Sequence, residues 1–373
     1  MRHLTFLIEN WVNAILNVRL FELVRHFLKL GLVCDVYSLG LSLQRNPLPR
    51  FFRPAVAKHE GIPVKLIPSV NLPSRRATLL VNCLSAAFLS EGVLVIKHPA
   101  VARILHSMGR NYILDYEDVL SLFYASRKLV RDYYSAWKLE RIVFKGADLV
   151  VTENEYLAKY ISNLSDGVEV AVIPNGVELE LFSPHAVNAR SLFSGERVSL
   201  GFVGKSLSSQ RTELFFRSLR YLPKKVLENV EIILVGPFDS SVLGLLKKHV
   251  AHVNIVGHVS HFEVPRFIGN MDICLNPIVD VHFSRSTKNL EYAAMGRPTV
   301  ATDVPSNSFV KENNCGIVCK LSPEDFAKGI ETLVYDQNMA VDLAKNGLRA
   351  VRDYDWNVLA RKYKSLIEKK GLI

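Results

Sequence analysis

Residues 4–8, Leu-Thr-Phe-Leu-Ile, form an apolar run of strand length, and the segment after them restricts the fold more than any other feature. Residues 17–30 put Leu20, Leu23, Val24, Phe27 and Leu28 on one helical face. Gly31 stands where such a helix can close, and residues 33–38 read as the next strand. Strand, helix, glycine, strand is a βαβ unit. Two strands joined by a crossover helix lie parallel, and a parallel sheet carries helices on its faces. Strand-like runs return at 64–67, 93–96, 111–115, 147–154 and 170–178. They return again at 198–204, 231–237, 253–259, 268–277 and 299–301. The expected fold class is α/β, with doubly wound, Rossmann-like sheets. The 373 residues suffice for two such domains at about 100–200 residues each.

The second half contains the stretch richest in chemistry. Ser284-Arg285-Ser286-Thr287-Lys288 is small and basic, and it runs into Asn289-Leu290-Glu291-Tyr292-Ala293-Ala294-Met295-Gly296-Arg297-Pro298. The spacing predicts a short helix closed by Gly296, with a buried strand at 299–301. Residues 284–287 then lie at a helix N-terminus, where unpaired N–H groups and the helix dipole favour phosphate. Arg285 and Lys288 add full charges beside it. Glu291 falls one turn into the helix, at a depth where its carboxylate can accept hydrogen bonds from ribose hydroxyls. A phosphate anchor beside a sugar acceptor is what a nucleotide-sugar site requires.

Ser284 to Gly296 resembles the donor motif of retaining glycosyltransferases of the GT-B fold, in the branch where a small, basic loop leads into Lys-x-x-Glu-Tyr. Glu291 matches the second glutamate of the motif; Phe283 stands where the family often has the first. The run Ala-Asp-Leu-Val-Val-Thr-Glu-Asn at 147–154, continued at 172–184 by Val-Ile-Pro-Asn-Gly-Val-Glu-Leu-Glu-Leu-Phe-Ser-Pro, is similar to the close of the family's first domain. The resemblance implies two Rossmann-like domains facing a cleft. It assigns 1–185 to the acceptor, 196–355 to the nucleotide sugar, and 356–373 to a helix crossing back, with the linker near Ser183 to Glu196. Gly204 and Lys205, with Arg211, are expected on the diphosphate. Gly236 closes a further strand of the same domain, and Gly257, His258 and Val259 are expected at the base. Arg285, Ser286, Thr287, Lys288, Leu290 and Glu291 complete the expected donor set.

The first domain supplies the acceptor candidates. Glu9, Asn10 and Asn13 follow the first strand, at the carboxyl end where such sheets bind ligands. His98 ends the strand at 93–96. Asp115, Tyr116, Glu117 and Asp118 end the next, where crowded carboxylates can raise a pKa toward proton-transfer range; Asp118 can equally cap the helix that follows. The catalytic candidates are therefore Asp118, Glu117, His98, Lys205 and Lys288. No metal site and no cofactor are expected. The partners implied are a nucleotide-sugar donor and a glycan or lipid-linked acceptor. An epimerase of the same fold and a non-catalytic scaffold are the competing classes.

Charge narrows the remaining partners. The formal net charge is +10. This suits small anions, a membrane surface or nucleic acid. The chain has no zinc finger, helix-turn-helix or RNA-binding consensus, so nucleic acid is not expected. It also lacks the glycine fingerprint of nicotinamide enzymes after Ile8. Residues 45–76 carry seven Lys and Arg against the single acid Glu60, with Phe51 and Phe52 among them, so an anionic membrane surface is an expected contact. No uncharged apolar stretch reaches the length of about 18 residues needed to span a bilayer. The N-terminal run breaks at Glu9, too soon for a signal peptide, and a cytoplasmic location is expected. The five cysteines are scattered and read as reduced core thiols.

Overall fold

The computed structural model describes residues 3–8, 18–38, 56–59, 61–66, 75–204, 209–238, 244, 246–279 and 283–373; at 56–59, 66, 75–79 and 209–212 it describes the backbone alone. The chain divides into two units, residues 1–174 with 356–373, and residues 175–355.

The first unit holds β1 (His3–Ile8), β2 (Val33–Ser38), β3 (Val56–His59), β4 (Ile62–Leu66), β5 (Val93–Ile96), β6 (Tyr112–Asp115), β7 (Leu149–Thr152) and β8 (Val170–Val172). Their order is β3-β4-β2-β1-β5-β6-β7-β8. β3 and β4 form an antiparallel hairpin at the edge, with Gly61 in its turn at φ 86°, and the other pairs are parallel. The chain moves outward from β1 to β2 and β4, then returns to β5 on the other side of β1. That reversal is a topological switch point, and ligands bind beyond the strand ends at such a point. The helix Trp356–Lys369 belongs to this unit. Trp356, Leu359, Tyr363 and Ile367 are buried with Leu4, Phe6 and Phe27, and the Tyr363 ring meets Phe27 edge-on at 5.6 Å.

The second unit holds β9 (Val198–Val203), β10 (Val230–Val235), β11 (Val253–Gly257), β12 (Ile273–Asn276), β13 (Thr299–Thr302) and β14 (Gly316–Cys319), in the all-parallel order β11-β10-β9-β12-β13-β14. Both faces are apolar because both are covered. In β10, Ile232 and Leu234 join one core and Ile233 and Val235 the other, the alternation a strand enforces. The switch point here lies between β9 and β12.

Three local expectations change. The segment from residue 183 to 196 is part of the second unit, and the division falls at Pro174. Val177 and Phe182 are buried in the second unit's core, with Phe182 against His261 at 5.2 Å, and the Arg190 N–H donates to the Gly269 carbonyl. The helix expected over 121–145 is two helices, Leu120–Ser126 and Val130–Gly146. Lys128 turns left-handed at φ 58°, and the N–H groups of Lys128 and Leu129 cap the first helix on Ala125 and Tyr124 carbonyls. The basic stretch 45–76 falls largely outside the described residues, but a helix, Arg75–Leu89, follows where no regular element was expected. Among the described residues no helix is long and apolar enough to cross a membrane.

Candidate functional site

At the switch point of the second sheet, glycines close three neighbouring strands. Gly204, Gly236 and Gly257 stand at φ 150°, 132° and 82°, where a side chain is disfavoured. The Gly204 N–H donates to the Val235 carbonyl and the Gly236 N–H to the Gly257 carbonyl, each at 2.8 Å. The result is a shelf of bare backbone. A Cβ added to Gly236 would stand 1.9 Å from the Gly204 carbonyl oxygen, a backbone atom with nowhere to move. Gly236→Ala is therefore expected to destabilise the second unit by about 1–3 kcal/mol in urea unfolding. Gly244→Ala, whose added Cβ meets nothing within 4 Å, is the neutral control.

Lys288 reaches this shelf from the helix Thr287–Ala294. Its Cε would lie 2.8 Å from a Cβ at Gly204. The loop at residues 284–287 and the end of β9 are thereby brought together, as the motif predicts. The same helix returns a second tie, since the Tyr292 hydroxyl accepts from the Val203 N–H at 3.0 Å. Glu291 is half-buried on this helix. Burial pushes its carboxyl above the ordinary carboxylate range, and the charges of His261 and Lys288 pull it part of the way back.

The start of this helix is held by a buried lattice of amides that carries no sequence motif. The Asn276 amide at the end of β12 lies 3.0 Å from Ser286 Oγ, 2.7 Å from Asn289 Oδ1 and 2.9 Å from Asn307 Oδ1. Asn289 donates to Asn307 Oδ1 at 3.0 Å, and Asn307 donates in turn to the Thr302 carbonyl at 3.0 Å. The Ser286 N–H is taken by the Ser306 carbonyl at 2.8 Å. Arg285 is held to one side: it donates to the Tyr354 hydroxyl at 2.7 Å and to Glu312 at 2.8 Å. Leu290 is buried in the core beneath. His258 is exposed and Val259 half-buried just beyond β11. Lys205 lies outside the described residues, and Arg211 contributes only its backbone, in the helix Ser209–Ser218.

The carboxyl ends of the first sheet hold buried charge. Arg19, on the helix Val18–Lys29, grips Asp115 through Nε at 2.7 Å and through a second nitrogen at 3.3 Å. It also donates to the carbonyls of Ile173 and Pro174 at 2.8 and 2.9 Å. Burial pushes the Asp115 carboxyl up, and Arg19 opposes that shift. Glu117 pairs with Lys97 at 2.7 Å. Burial lowers the Lys97 amine, and the charge and hydrogen bond of Glu117 together with the charges of Asp118 and Asp115 outweigh it and hold the amine above its ordinary value. Tyr116 donates to the buried Glu140 at 2.8 Å. Asp118 alone of this run is exposed. The cap position of the following helix is Val119, whose side chain makes no capping hydrogen bond. His98 does cap a helix, its Nδ1 accepting from the Ala100 N–H at 3.1 Å. Glu9, Asn10 and Asn13 lie outside the described residues.

Residues 197–336 match the model of the family described as glycosyl transferases group 1. A sequence relative, the putative teichuronic acid biosynthesis glycosyltransferase TuaH of Bacillus subtilis, is 29% identical over 59% of this chain and 56% of its own. The chain thus spans little more than half the length of that relative. Among solved structures, sucrose-phosphate synthase of Thermosynechococcus elongatus superposes with a TM-score of 0.77 at 16% identity, covering 99% of both chains. HepE of Anabaena, solved with UDP, gives a TM-score of 0.73 at 15% identity, covering 99% of this chain and 100% of its own. The chain has the GT-B fold, and its residues 197–336 carry the match to the group 1 glycosyltransferases.

In this GT-B chain, motif reading found Lys288, Glu291 and the three strand-end glycines. It did not find Asn276, Asn289, Asn307 or Arg19. Asn276 sits in an otherwise plain strand end before Pro277, and Asn307 lies 31 residues further on. A partner chosen by folding over such a separation leaves no local spacing to read.

Proposed function

We propose that the chain transfers a sugar from a nucleoside diphosphate sugar to a glycan or lipid-linked acceptor, with retention of configuration. The observation that carries this reading is Lys288 lying across the glycine shelf at the switch point of the second sheet. Lys288 meets the diphosphate there, together with the helix N-terminus and the cations Lys205 and Arg211. Glu291 accepts from the ribose hydroxyls. As the bond from the sugar's anomeric carbon to the phosphate oxygen breaks, negative charge gathers on the diphosphate, and fixed positive groups stabilise that charge more than they stabilise the bound donor. The acceptor oxygen bonds to the anomeric carbon on the same face, and its proton passes to the leaving phosphate. Asp118 positions the acceptor and is not required as a base, and the protein's own cations serve where a metal otherwise would. The UDP bound to HepE supports the donor, and the part of TuaH in teichuronic acid biosynthesis supports a glycan acceptor. A cytoplasmic location, with attachment at the inner membrane face, is part of the same proposal.

A thermal-shift screen against UDP, GDP and ADP, first without metal, tests the donor site. A ligand at about 100 times its dissociation constant adds about 2.7 kcal/mol. One diphosphate nucleotide should give such a shift. Because an ionised Glu291 accepts from the ribose hydroxyls more strongly than a protonated one, and burial raises its carboxyl, the shift should weaken on acidification at a pH above the ordinary glutamate range, while Glu291→Gln should bind more weakly at neutral pH and without that pH dependence. The absence of any nucleotide shift at neutral pH would sink the reading.

A further inference from the structure

We propose that the helical hairpin Leu120–Ser126 and Val130–Gly146 is the surface by which this chain lies on an anionic lipid bilayer. The hairpin's inner side is fixed. Ala136, Glu140, Val143 and Phe144 are buried. The Tyr112 hydroxyl donates to the Val143 carbonyl at 2.7 Å, and Glu140 accepts from Tyr116 at 2.8 Å and from the Ser121 N–H at 3.1 Å. The opposite side is therefore committed to the outside, and it has an unusual make-up.

Arg127, Lys128, Arg131, Lys138, Arg141 and Lys145 are all exposed there. None of the six pairs with an acid among the described residues. Between them Leu129 is 43% exposed, Val130 65%, Tyr134 56% and Ile142 39%. The Arg141 guanidinium lies 4.7 Å from the centre of the Trp137 ring and that of Arg127 4.1 Å from the Phe123 ring, which keeps both aromatics at the outer surface. Asp132 is the one exposed acid between Arg127 and Lys145. At 100° per residue, Val130, Tyr134, Trp137, Lys138, Arg141 and Lys145 share one face of the second helix. A solvated helix face accounts for the cations and not for the aliphatic side chains among them. A polyanion such as nucleic acid would satisfy the cations and leave Leu129, Val130 and Ile142 in water. An interface of anionic headgroups over hydrocarbon satisfies both, with the apolar tip Leu129–Val130 inserted and the long basic stems reaching back to the headgroups. The surface lies on the first unit, and the inference stands apart from the donor-site reading.

Co-sedimentation of the full chain with vesicles tests it, using phosphatidylcholine alone and an equal mixture with phosphatidylglycerol. Binding is expected to the mixed vesicles only, and to weaken as salt is raised. Lys138→Glu with Arg141→Glu should lower that affinity at least about a hundredfold. Leu129→Ser with Val130→Ser should lower it about tenfold and leave the salt dependence as it was. Both pairs should melt with the parent chain and keep its nucleotide shift, since every altered side chain is exposed. Failure of the parent chain to bind the mixed vesicles would overturn the proposal. So would undiminished binding by both variants, which would move the contact elsewhere, and so would tighter binding of the parent chain to a single-stranded oligonucleotide than to the vesicles.

Discussion

Alanine in place of Lys288 is expected to lower the transfer rate about 10²- to 10³-fold, the loss typical when one preorganised donor to developing charge is removed. The side chain is carried on the first turn of the helix Thr287–Ala294, and its Cε lies over Gly204 beside the Phe202 ring. Charge on the diphosphate grows as the glycosidic bond breaks, so the larger share of the loss should fall on kcat and the smaller on KM. Lys288→Arg should recover part of the rate, because it restores charge with a different reach. The measurement is release of nucleoside diphosphate from the donor named by the thermal screen, with the melting temperature followed in parallel. An unchanged rate in a folded Lys288→Ala protein would show that the phosphate is held elsewhere.

The second large effect concerns folding. Arg19→Met leaves Asp115 buried without its counter-charge and strips the carbonyls of Ile173 and Pro174 of a donor. Breaking a buried pair from one side is expected to destabilise the first unit by about 3–5 kcal/mol in urea unfolding. The sign of its pH dependence follows from Asp115. Its carboxyl already sits above its ordinary value in the folded chain because of burial, and losing Arg19 raises it further. A carboxyl with a raised folded pKa destabilises where the unfolded chain would be ionised, so the variant's deficit should shrink as pH falls toward the ordinary aspartate range. Arg19→Met combined with Asp115→Leu should recover much of the loss, because it removes the stranded charge as well. Equal stability of Arg19→Met and the parent would mean that water or a rearranged Lys97 takes over the role of Arg19.

What could be read from the chain was periodic or local. Apolar runs separated by amphipathic helices located the strands of both sheets except the antiparallel edge strand β3 and the last strand β14, and Gly296, now at φ 62°, ended the Lys288 helix where expected. What could not be read depended on tertiary choice. Arg19 shares its helix face with the buried Glu22 and His26, and its partner Asp115 is 96 residues away. The division at Pro174 was hidden because Val177 and Phe182 pack into the second unit while the chain still looks like the end of the first. The long helix at 120–146 was read as one because nothing in Arg127-Lys128-Leu129 is a breaker by composition; a lysine in the left-handed region does the work usually given to glycine. His98 illustrates the opposite case, a candidate whose ring nitrogen turned out to serve the next helix.

The amide lattice under the Lys288 helix has an electrostatic consequence. Had Asn276, Asn289 and Asn307 been aspartates, they could have fixed the same loop, and three negative charges buried beneath the helix start would have opposed the field of its N–H groups and of Lys288. Asparagine supplies both donor and acceptor without a net charge. The anchor therefore leaves the positive potential above it uncancelled, and its strength does not change with acidity or ionic strength. Any weakening of anion capture in salt or acid must come from the cations and from Glu291, not from the framework that aims them.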